Sequence, residues 1–325
     1  MTARRALALA ASLTTVALVG ATTSAPAPAR TASDQSGSRC PATGTIRVST
    51  LPALSAAGCA LAGRTVTDGR VSVVVPPAGM SVAGDGIGVR GEVHGLTVTN
   101  TGTSVRAGST TADRSAGRAT TARAGSPAAC QDRTFNLEHH HWKSALRYRA
   151  DLGRMPARFH AKTVVSQIRI ANGNMRKGRN TCGKPRLRTP ASHYLGRTRV
   201  KPHINTDGPS CGAYDTKNVV GFGNLPGGLL GWTCYWYVGP RMAAADMMLD
   251  NGSNMATTIP QDCSATYDFE GIVTHEWGHV YGMAHTGSGH RNLTMQHVLA
   301  ACSTYARTLG LGDWLGMNKM YGHRR

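Results

Sequence analysis

The sequence predicts an α/β (α+β) fold in two parts: a small β-rich N-terminal module over residues 30–102 and a larger domain over residues 130–325. Residues 40–102 contain short runs of alternating apolar side chains separated by glycine and proline, which is typical of strands. Residues 103–129 are rich in Ser, Thr, Ala, Gly and Arg without apolar periodicity, which predicts a flexible linker. Beyond residue 130, strand-like runs alternate with helical spacing.

Residues 1–29 have the pattern of a secretory signal peptide. Arg4 and Arg5 precede an apolar run that ends near Gly20, and Ala27-Pro28-Ala29 fits the small-residue cleavage rule. The run is short and broken by polar residues, which disfavours a membrane anchor, and no later segment is apolar enough to span a bilayer. We therefore expect a secreted, extracellular protein with no transmembrane segment.

The cysteines are expected to form disulfide bonds, because export places them in an oxidising environment. All eight follow the signal segment, and no pair has the CxxC spacing of a cysteine zinc site. Many pairings are compatible with eight cysteines. Pairing between neighbours predicts four bonds: Cys40–Cys59, Cys130–Cys182, Cys211–Cys234 and Cys263–Cys302.

The chain is strongly basic, with 36 Lys and Arg against 17 Asp and Glu and a net charge of +19. Loss of Arg4 and Arg5 with the signal segment leaves 34 basic side chains and a net charge of +17. This charge favours association with an anionic cell-wall surface or with acidic substrates. The basic residues are scattered and no nucleic-acid motif is present, so no nucleic-acid partner is expected. We expect a monomer.

The N-terminal module is predicted to contain strands near residues 45–49, 71–75 and 92–98. Pro76-Pro77 and Gly84-Asp85-Gly86 are interpreted as breaks between strands. A β module joined to a larger domain by a cuttable linker is compatible with a propeptide that is removed on activation. A permanent accessory domain explains the same pattern equally well.

The larger domain is predicted to begin with a strand at 142–149 and a helix at 160–175, where apolar residues have helical spacing. The run 139–141 of three histidines cannot place three side chains on one face and is interpreted as surface. Residues 176–209 are basic and turn-rich, and predict a surface excursion held by Cys182 and Cys211. Strands follow at 218–223 and 229–238, and residues 241–250 are compatible with a strand or a helix.

The most informative stretch is 275–285, which reads H-E-W-G-H-V-Y-G-M-A-H. On a helix from 269 to about 281, capped by Asp268, His275 and His279 lie one turn apart on one face and can bind one metal ion. Gly282 permits positive φ, so the chain can turn there and bring His285 back as a third ligand. Three protein ligands leave one position open, which is the pattern of a catalytic metal site.

The extended H-E-x-x-H-x-x-G-x-x-H pattern, with Met295 beyond it in Asn292-Leu293-Thr294-Met295-Gln296, resembles the metzincin zinc metalloproteases of the secreted bacterial type. Residues 309–321, a predicted final helix capped at Asp313, are similar to the matrixin-like branch, in which an aspartate at this place supports the methionine turn. The resemblance covers residues 142–321. It implies a metzincin-like catalytic domain with a twisted mixed β-sheet, an active-site helix and a C-terminal helix.

The resemblance implies one catalytic Zn²⁺ on His275, His279 and His285, with Glu276 as the general base that takes a proton from a water on the metal. A protein or peptide substrate is expected to lie extended along an edge strand at 229–238. Trp232, Tyr235 and Trp236 could shape its pockets or belong to the core. Gln296 and His297 stand where related branches place a tyrosine, so no tyrosine role is carried over.

Matrixins also carry structural Ca²⁺, but no matching ligand cluster is evident here. Asp207, Asp215, Asp250 and Asn251 could serve calcium and are interpreted as turn formers.

Latency and biological role are left open by the sequence. If the module is a propeptide, Cys59, Asp85 and His94 are the groups that could occupy the open metal position. Two alternatives to a zinc endopeptidase remain. One is a zinc-dependent cell-wall-associated or polyanion-binding protein without physiological proteolysis, and the other is a hydrolase of non-peptide amide bonds.

Overall fold

The computed structural model describes residues 40–90, 93–109, 128–138, 140–205 and 209–322. The predicted signal peptide, residues 110–127 of the predicted linker, His139 and Asp207 lie outside these ranges. Among the described residues, no helix is both long and apolar enough to cross a membrane.

The described chain contains sixteen strands and four α-helices, and most strands follow one another directly. The strands are β1 (Ile46–Arg47), β2 (Thr65–Thr67), β3 (Ser72–Val74), β4 (Met80–Gly88), β5 (Leu96–Asn100), β6 (Val105–Ser109), β7 (Asn136–Leu137), β8 (Leu146–Asp151), β9 (Ser192–Thr198), β10 (Ser210–Cys211), β11 (Val219–Gly223), β12 (Leu229–Val238), β13 (Arg241–Asp250), β14 (Met255–Ala256), β15 (Tyr267–Asp268) and β16 (Met283–Ala284). The helices are α1 (Leu51–Ala56), α2 (Ala161–Lys177), α3 (Phe269–Tyr281) and α4 (Leu311–Tyr321). Two 3₁₀ turns, Val48–Thr50 and Tyr305–Arg307, complete the set.

One mixed sheet of eight strands organises the fold, in the order β6-β5-β4-β12-β13-β11-β8-β9. Its last five strands come from the larger domain, and its first three come from the N-terminal module. The module therefore continues the sheet of the larger domain through the antiparallel pair of β4 and β12. The predicted linker start at 103 was wrong, because β6 pairs with β5 as far as Ser109.

The sheet separates two hydrophobic cores. On one face, α2 and α3 pack together and their apolar side chains form the larger core with Trp277, Met295 and Trp314. On the other face, the apolar residues of the module form a second core that includes Trp232 and Trp236 of β12. Strand β12 is thus buried on both faces, which explains its nearly continuous apolar sequence.

Most predicted elements of the larger domain are confirmed. Strand β12 and the zinc-motif helix have the predicted bounds, and α2 continues two residues beyond the prediction to a left-handed cap at Gly178. Residues 241–250 form a strand, β13, because they pair with both β11 and β12.

Three predictions for this domain were wrong. The excursion at 176–209 contains β9, whose alternating exposure suits the edge of the sheet. Helix α4 begins at Leu311 with Gly310 as its N-cap, so Asp313 lies in the first turn. His140 is buried and stacks on Tyr237 with ring centroids 3.9 Å apart, whereas the histidine run was expected on the surface.

The largest correction concerns Gly84-Asp85-Gly86. These residues were interpreted as a break, but they form the middle of the nine-residue strand β4, which is buried along its whole length. The glycines serve close packing rather than a turn. A Cβ built on Gly84 would lie 2.6 Å from Cys211 Sγ, and one on Gly86 would lie 2.2 Å from Gly231 O.

All four predicted disulfide bonds are confirmed. Cys40–Cys59 lies within the module, and the other three lie within the larger domain. Because no cysteine remains free, no disulfide joins the module to the larger domain.

Candidate metal centre and active site

Helix α3 carries the predicted motif and is held at both ends. At its start, the Asp268 carboxylate accepts the Gly271 N–H at 2.8 Å, as an N-cap should, and it also pairs with Arg307. At its end, Gly282 has φ +94° and its N–H returns to the carbonyls of the last turn. The predicted roles of Asp268 and Gly282 are confirmed, and the turn leads directly to β16 and His285.

The three predicted ligands converge on one point. The Nε2 atoms of His275 and His279 lie 3.1 Å apart, those of His275 and His285 lie 3.1 Å apart, and those of His279 and His285 lie 3.2 Å apart. This is the one group of three or more His, Cys, Asp or Glu in the described part of the chain that could hold a metal ion. All three side chains are buried.

The opposite ring nitrogens of the first two histidines face backbone carbonyls. His275 Nδ1 lies 2.7 Å from Thr294 O, and His279 Nδ1 lies 3.1 Å from Met283 O. A carbonyl accepts a hydrogen bond only from a protonated nitrogen, so these contacts place the proton on Nδ1 and leave the Nε2 lone pair free for a metal. His285 Nδ1 lies 3.5 Å from Asp85 Oδ1, and the His285 ring also bonds to the backbone of Gly86.

The arrangement fits a tetrahedral metal ion. Two nitrogens at about 2.0–2.1 Å from such an ion are about 3.3 Å apart, close to the observed separations. Burial lowers the pKa of His275 and His285 well below the usual histidine value, and it lowers the pKa of His279 to about 4. The imidazoles are therefore neutral, and three neutral lone pairs at this distance repel one another unless a cation lies between them. The three histidines thus form a group that could hold a metal ion.

Glu276 lies beside the histidines on α3 and is fully buried. Its Oε1 accepts the N–H of Ile87 at 3.1 Å, and its Oε2 accepts the Thr233 hydroxyl at 2.5 Å. Burial raises the pKa of Glu276 to about 8, although both hydrogen bonds act in the opposite direction. Gly231 makes room for this carboxylate, because a Cβ there would lie 2.5 Å from Oε1.

Met295 and Asp313 contact the segments that carry the histidines. Met295 packs against α3 at Gly278, where a Cβ would lie 2.1 Å from the Met295 sulfur. Asp313 is buried and accepts the N–H groups of Thr294 at 2.7 Å and Met295 at 3.1 Å. Because the Thr294 carbonyl accepts a hydrogen bond from His275, Asp313 orients that histidine indirectly, through Thr294. Burial raises the pKa of Asp313 to about 6 against these hydrogen bonds.

The predicted substrate edge is covered. Strand β12 was expected at the edge of the sheet, but β4 pairs with it antiparallel from Leu229 to Tyr237. Trp232 and Trp236 lie in the second core between β12 and the module, and Tyr235 lies in the larger core. All three predicted pocket residues are buried in this closed arrangement.

The three candidate latency groups have different environments. Cys59 is bonded to Cys40, and His94 contacts Arg70 away from the histidines. Asp85 alone reaches the site, where it is 1% exposed. Two of the residues interpreted as turn formers rather than calcium ligands have protein partners: Asp215 pairs with Lys217, and Asp250 accepts the N–H groups of Leu225 and Ser253.

The hydrogen bonds that Thr233 and Ile87 donate to Glu276 were not predicted, nor was the hydrogen bond from His275 to the Thr294 carbonyl. Two of them use backbone atoms, which leave no signal in the residue type, and Thr233 is one of many threonines in strands. Only the predicted position of β12 could have suggested that its side chains lie near the motif.

Comparison with known proteins does not assign the chain. It matches no protein-family model, and no curated protein matches it significantly.

Proposed function

We propose that this protein is a secreted zinc-dependent endopeptidase of the metzincin type. The observation that carries the proposal is the convergence of three imidazoles, two from helix α3 and one from the segment after β16, beside the buried carboxylate of Glu276. A histidine site that served binding alone would need no carboxylate of raised pKa next to its ligands. The packing of Met295 beneath α3 and the bonds from Asp313 to the 294–295 turn support the resemblance to metzincins.

His275, His279 and His285 would hold the zinc ion, since three nitrogen ligands with an open position suit catalytic zinc. When bound, zinc lowers the pKa of water towards neutrality and polarises a carbonyl. Glu276 then accepts a proton from the attacking water and delivers it to the leaving amine. Thr233 orients the carboxylate through its hydroxyl.

A peptide substrate would pair with β12 as an added strand. The antiparallel pairing of β4 with β12 supports this mode of binding, because β12 accepts an extended strand along the same edge. Export is supported by four disulfide bonds, which persist in oxidising compartments.

Polyanion binding is a second candidate with an observation of its own. A groove beside α2 is lined by six basic side chains and no acidic one: Arg169, Arg176, Lys177, Arg179, Lys184 and Arg186. Such a groove suits an anionic polymer of the cell wall. It is compatible with proteolysis and could place the enzyme near its substrate.

Glu276→Gln tests the proposed chemistry. We expect the variant to bind one zinc ion per chain while its cleavage of a peptide library falls at least about 10²-fold, because the general base is lost. The measurement is mass-spectrometric detection of cleaved peptides, using chain from which residues 40–109 have been released and a chelator-treated control. An equally active variant would exclude the mechanism. Retained polyanion binding without any cleavage by either protein would favour the second candidate. Chelator-sensitive hydrolysis of non-peptide amides, without cleavage of peptides, would favour a hydrolase of non-peptide amide bonds.

A further inference from the structure

The basic groove beside α2 continues along the surface of the larger domain. It opens into a second depression, which shares Arg169 and Tyr194 with it, and then into a third, which shares Arg197 with the second. These extensions add three cations to the six of the groove: Lys162, Arg197 and Arg199. We call this continuous surface the basic track. It contains six arginines and three lysines.

Helix α2 places three of these cations in a row. Lys162, Arg169 and Arg176 follow one another at intervals of seven residues, so they lie on one side of the helix with about 10 Å between neighbours. Residues 179–186 supply three more cations beyond the end of the helix, and residues 197–199 supply two near its start. A ligand that contacts the whole track must therefore be extended and carry negative charge repeatedly along its length.

The protein does not neutralise the charge of the track. Within the described part of the chain, none of the nine cations forms an ion pair. Asp151 is the one acidic residue that lines the track, and its buried carboxylate accepts the Gly153 N–H at 3.0 Å. Seven of the nine cations are exposed. Like charges gathered in this way repel one another, and an anionic ligand relieves that repulsion.

An acidic peptide added to the open edge of the sheet is one alternative ligand, because β9 is the last strand. The edge is poorly suited to it. Strand β9 has one extra residue between its pairs with Tyr148 and Ala150, and Gly196 has φ +100° there. Arg149 also donates a hydrogen bond to the Leu195 carbonyl at 3.1 Å. A bulge and an occupied carbonyl disfavour pairing with a further strand.

Nucleic acid is a second alternative, and the aromatic rings of the track disfavour it. Tyr148 is buried and packs edge-on against Trp277, with ring centroids 4.8 Å apart. Tyr194 packs against Tyr148 at 5.6 Å, and the Arg169 guanidinium lies 5.9 Å from the centre of the Tyr194 ring. Proteins that bind single-stranded nucleic acid stack the bases on available aromatic faces. Both rings of the track are already engaged by protein groups.

The side chains of the track select the class of anion. Arginine and lysine donate hydrogen bonds and accept none, so the track suits a ligand that presents acceptors at each point of contact. Arginine forks bind phosphate oxygens in a bidentate manner, and arginine outnumbers lysine by two to one here. The unesterified oxygens of a phosphodiester are acceptors only, which matches this set of donors.

We propose that the basic track binds a linear phosphodiester polymer without bases, such as a polyol phosphate chain, at a site separate from the histidines. No residue of α3, of β12 or of residues 283–297 lines the track. The polyanion of the second candidate function is thereby specified as a phosphodiester chain. Its binding does not depend on the proposed zinc chemistry, so one molecule can hold the polymer and cleave a peptide.

Lys162→Glu/Arg169→Glu in the full-length chain tests the proposal. Both side chains are exposed and belong to the row on α2. The probe is a fluorescent poly(glycerol phosphate) of defined length, titrated by anisotropy at several salt concentrations. We expect the affinity to fall at least about tenfold, and the slope of log K against log salt to become shallower by about 1.4, since each neutralised phosphate contributes about 0.7. An unchanged affinity would overturn the proposal.

Lys143→Glu/Arg241→Glu is the matched control. Both residues are exposed in the larger domain and neither lines the track. Each variant replaces two charges of +1 by −1, so the net charge changes by the same four units in both. The control should bind the polymer like the wild type. An equal loss in both variants would overturn the proposal, because net charge rather than the track would then hold the polymer.

A second variant covers the case in which the first does not fold, as judged by its thermal unfolding. Lys184→Glu/Arg186→Glu changes two exposed cations outside the helix, at the other end of the track. The same loss of affinity and of salt dependence is expected. Binding like that of the wild type in this variant would overturn the proposal.

Competition at equal charge concentration identifies the ligand class. The competitors are poly-glutamate, polygalacturonate, single-stranded oligonucleotide and phosphatidylglycerol vesicles, and poly(glycerol phosphate) should compete better than each of them. Equal competition by a carboxylate polymer would overturn the proposal, because phosphate would not be recognised. Stronger binding of the oligonucleotide would make bases part of the ligand, and stronger binding of vesicles would identify a lipid headgroup as its source. Either result would also overturn it.

Polymer binding in chelator, and by Glu276→Gln, separates this proposal from the proposed function. Both forms should bind poly(glycerol phosphate) like the untreated wild type. Loss of polymer binding on removal of metal would place the ligand at the histidines and overturn the separate site. Unchanged polymer binding, without peptide cleavage by any form of the protein, would leave the track correct and the endopeptidase proposal wrong.

Discussion

The two flanks of strand β12 are paired alike but connected differently. Towards β13 and towards β4 it forms antiparallel pairs over eight residues each. Strand β13 follows β12 after a two-residue turn, so this pair is local, and β11 continues the sheet beyond it. Strand β4 comes from more than a hundred residues upstream, and no disulfide bond secures it. The two pairs therefore differ in loop-closure entropy although their hydrogen bonding is alike, because the chain that joins β4 to β12 is much longer than the turn that joins β12 to β13.

The same contrast applies to the site. His275, Met295 and Asp313 belong to the larger domain and are connected by hydrogen bonds within it, through Thr294. The module supplies the cover and the contacts to His285 and Glu276. We therefore expect changes in the larger domain to damage the metal site, and changes in the module to alter access to it. The following predictions test this division, beginning with the largest effect on the metal site.

Gly282→Ala should damage the site most. A residue with a side chain is strained at φ +94°, and its Cβ would lie 2.1 Å from His140 O. We expect the free energy of unfolding of the metal-free protein to fall by about 3 kcal/mol, with zinc binding strongly weakened because His285 follows this turn. Urea unfolding and zinc titration measure the two effects. Gly227→Ala is the matched control, since Gly227 also has positive φ but no atom within 4 Å, and it should lose only about 1 kcal/mol. Equal losses would show that the contact with His140 is unimportant.

Asp313→Asn should weaken zinc binding about 10–100-fold. Asp313 orients Thr294, which bonds the first ligand, and outer partners of ligands typically have effects of this size. Competition with a chromogenic chelator measures the affinity. Asp262→Asn, at an exposed position, is the control. An unchanged affinity would remove Asp313 from the support of the site.

Glu276→Gln should change how the stability of the closed, metal-free protein depends on pH. The pKa of Glu276 is raised from 4.5 to about 8, so folding favours the protonated form. The contribution of Glu276 to stability is therefore complete below about pH 4.5 and is lost as the pH rises through about 8. Glutamine can keep both hydrogen bonds without a charge, so the stability of the variant relative to the wild type should rise by on the order of 4 kcal/mol between pH 5 and pH 8.5. Thermal unfolding at both pH values, in chelator, measures the difference. A constant difference at both pH values would contradict this assignment.

The metal site was predictable from sequence because its ligands are local. His275, His279 and His285 lie within eleven residues, and the period of a helix and the freedom of Gly282 suffice to bring them together. The cysteine pairs and the strand β12 were predictable for similar reasons, since neighbours in sequence or runs of strand-forming residues determine them.

Strand β4 was not predictable in the same way. Gly84-Asp85-Gly86 has the composition of a turn, and only the nearby Cys211, Trp232 and Gly231 explain why glycine is required in a buried strand. The buried state of His140 escaped prediction for the same reason, since its contact with Tyr237 depends on a distant strand.

The sequence by itself thus determined the histidine triad and the carboxylate beside it, because local periodicity and residue chemistry specify them, whereas the disulfide pairs followed only from the assumption that neighbouring cysteines pair. Only the tertiary structure decided that β12 is covered, that Asp85 faces His285 from the side away from the ligand nitrogens, and that Ile87 bonds Glu276. These features depend on backbone hydrogen bonds and steric fit between segments far apart in the chain, which residue types do not encode individually.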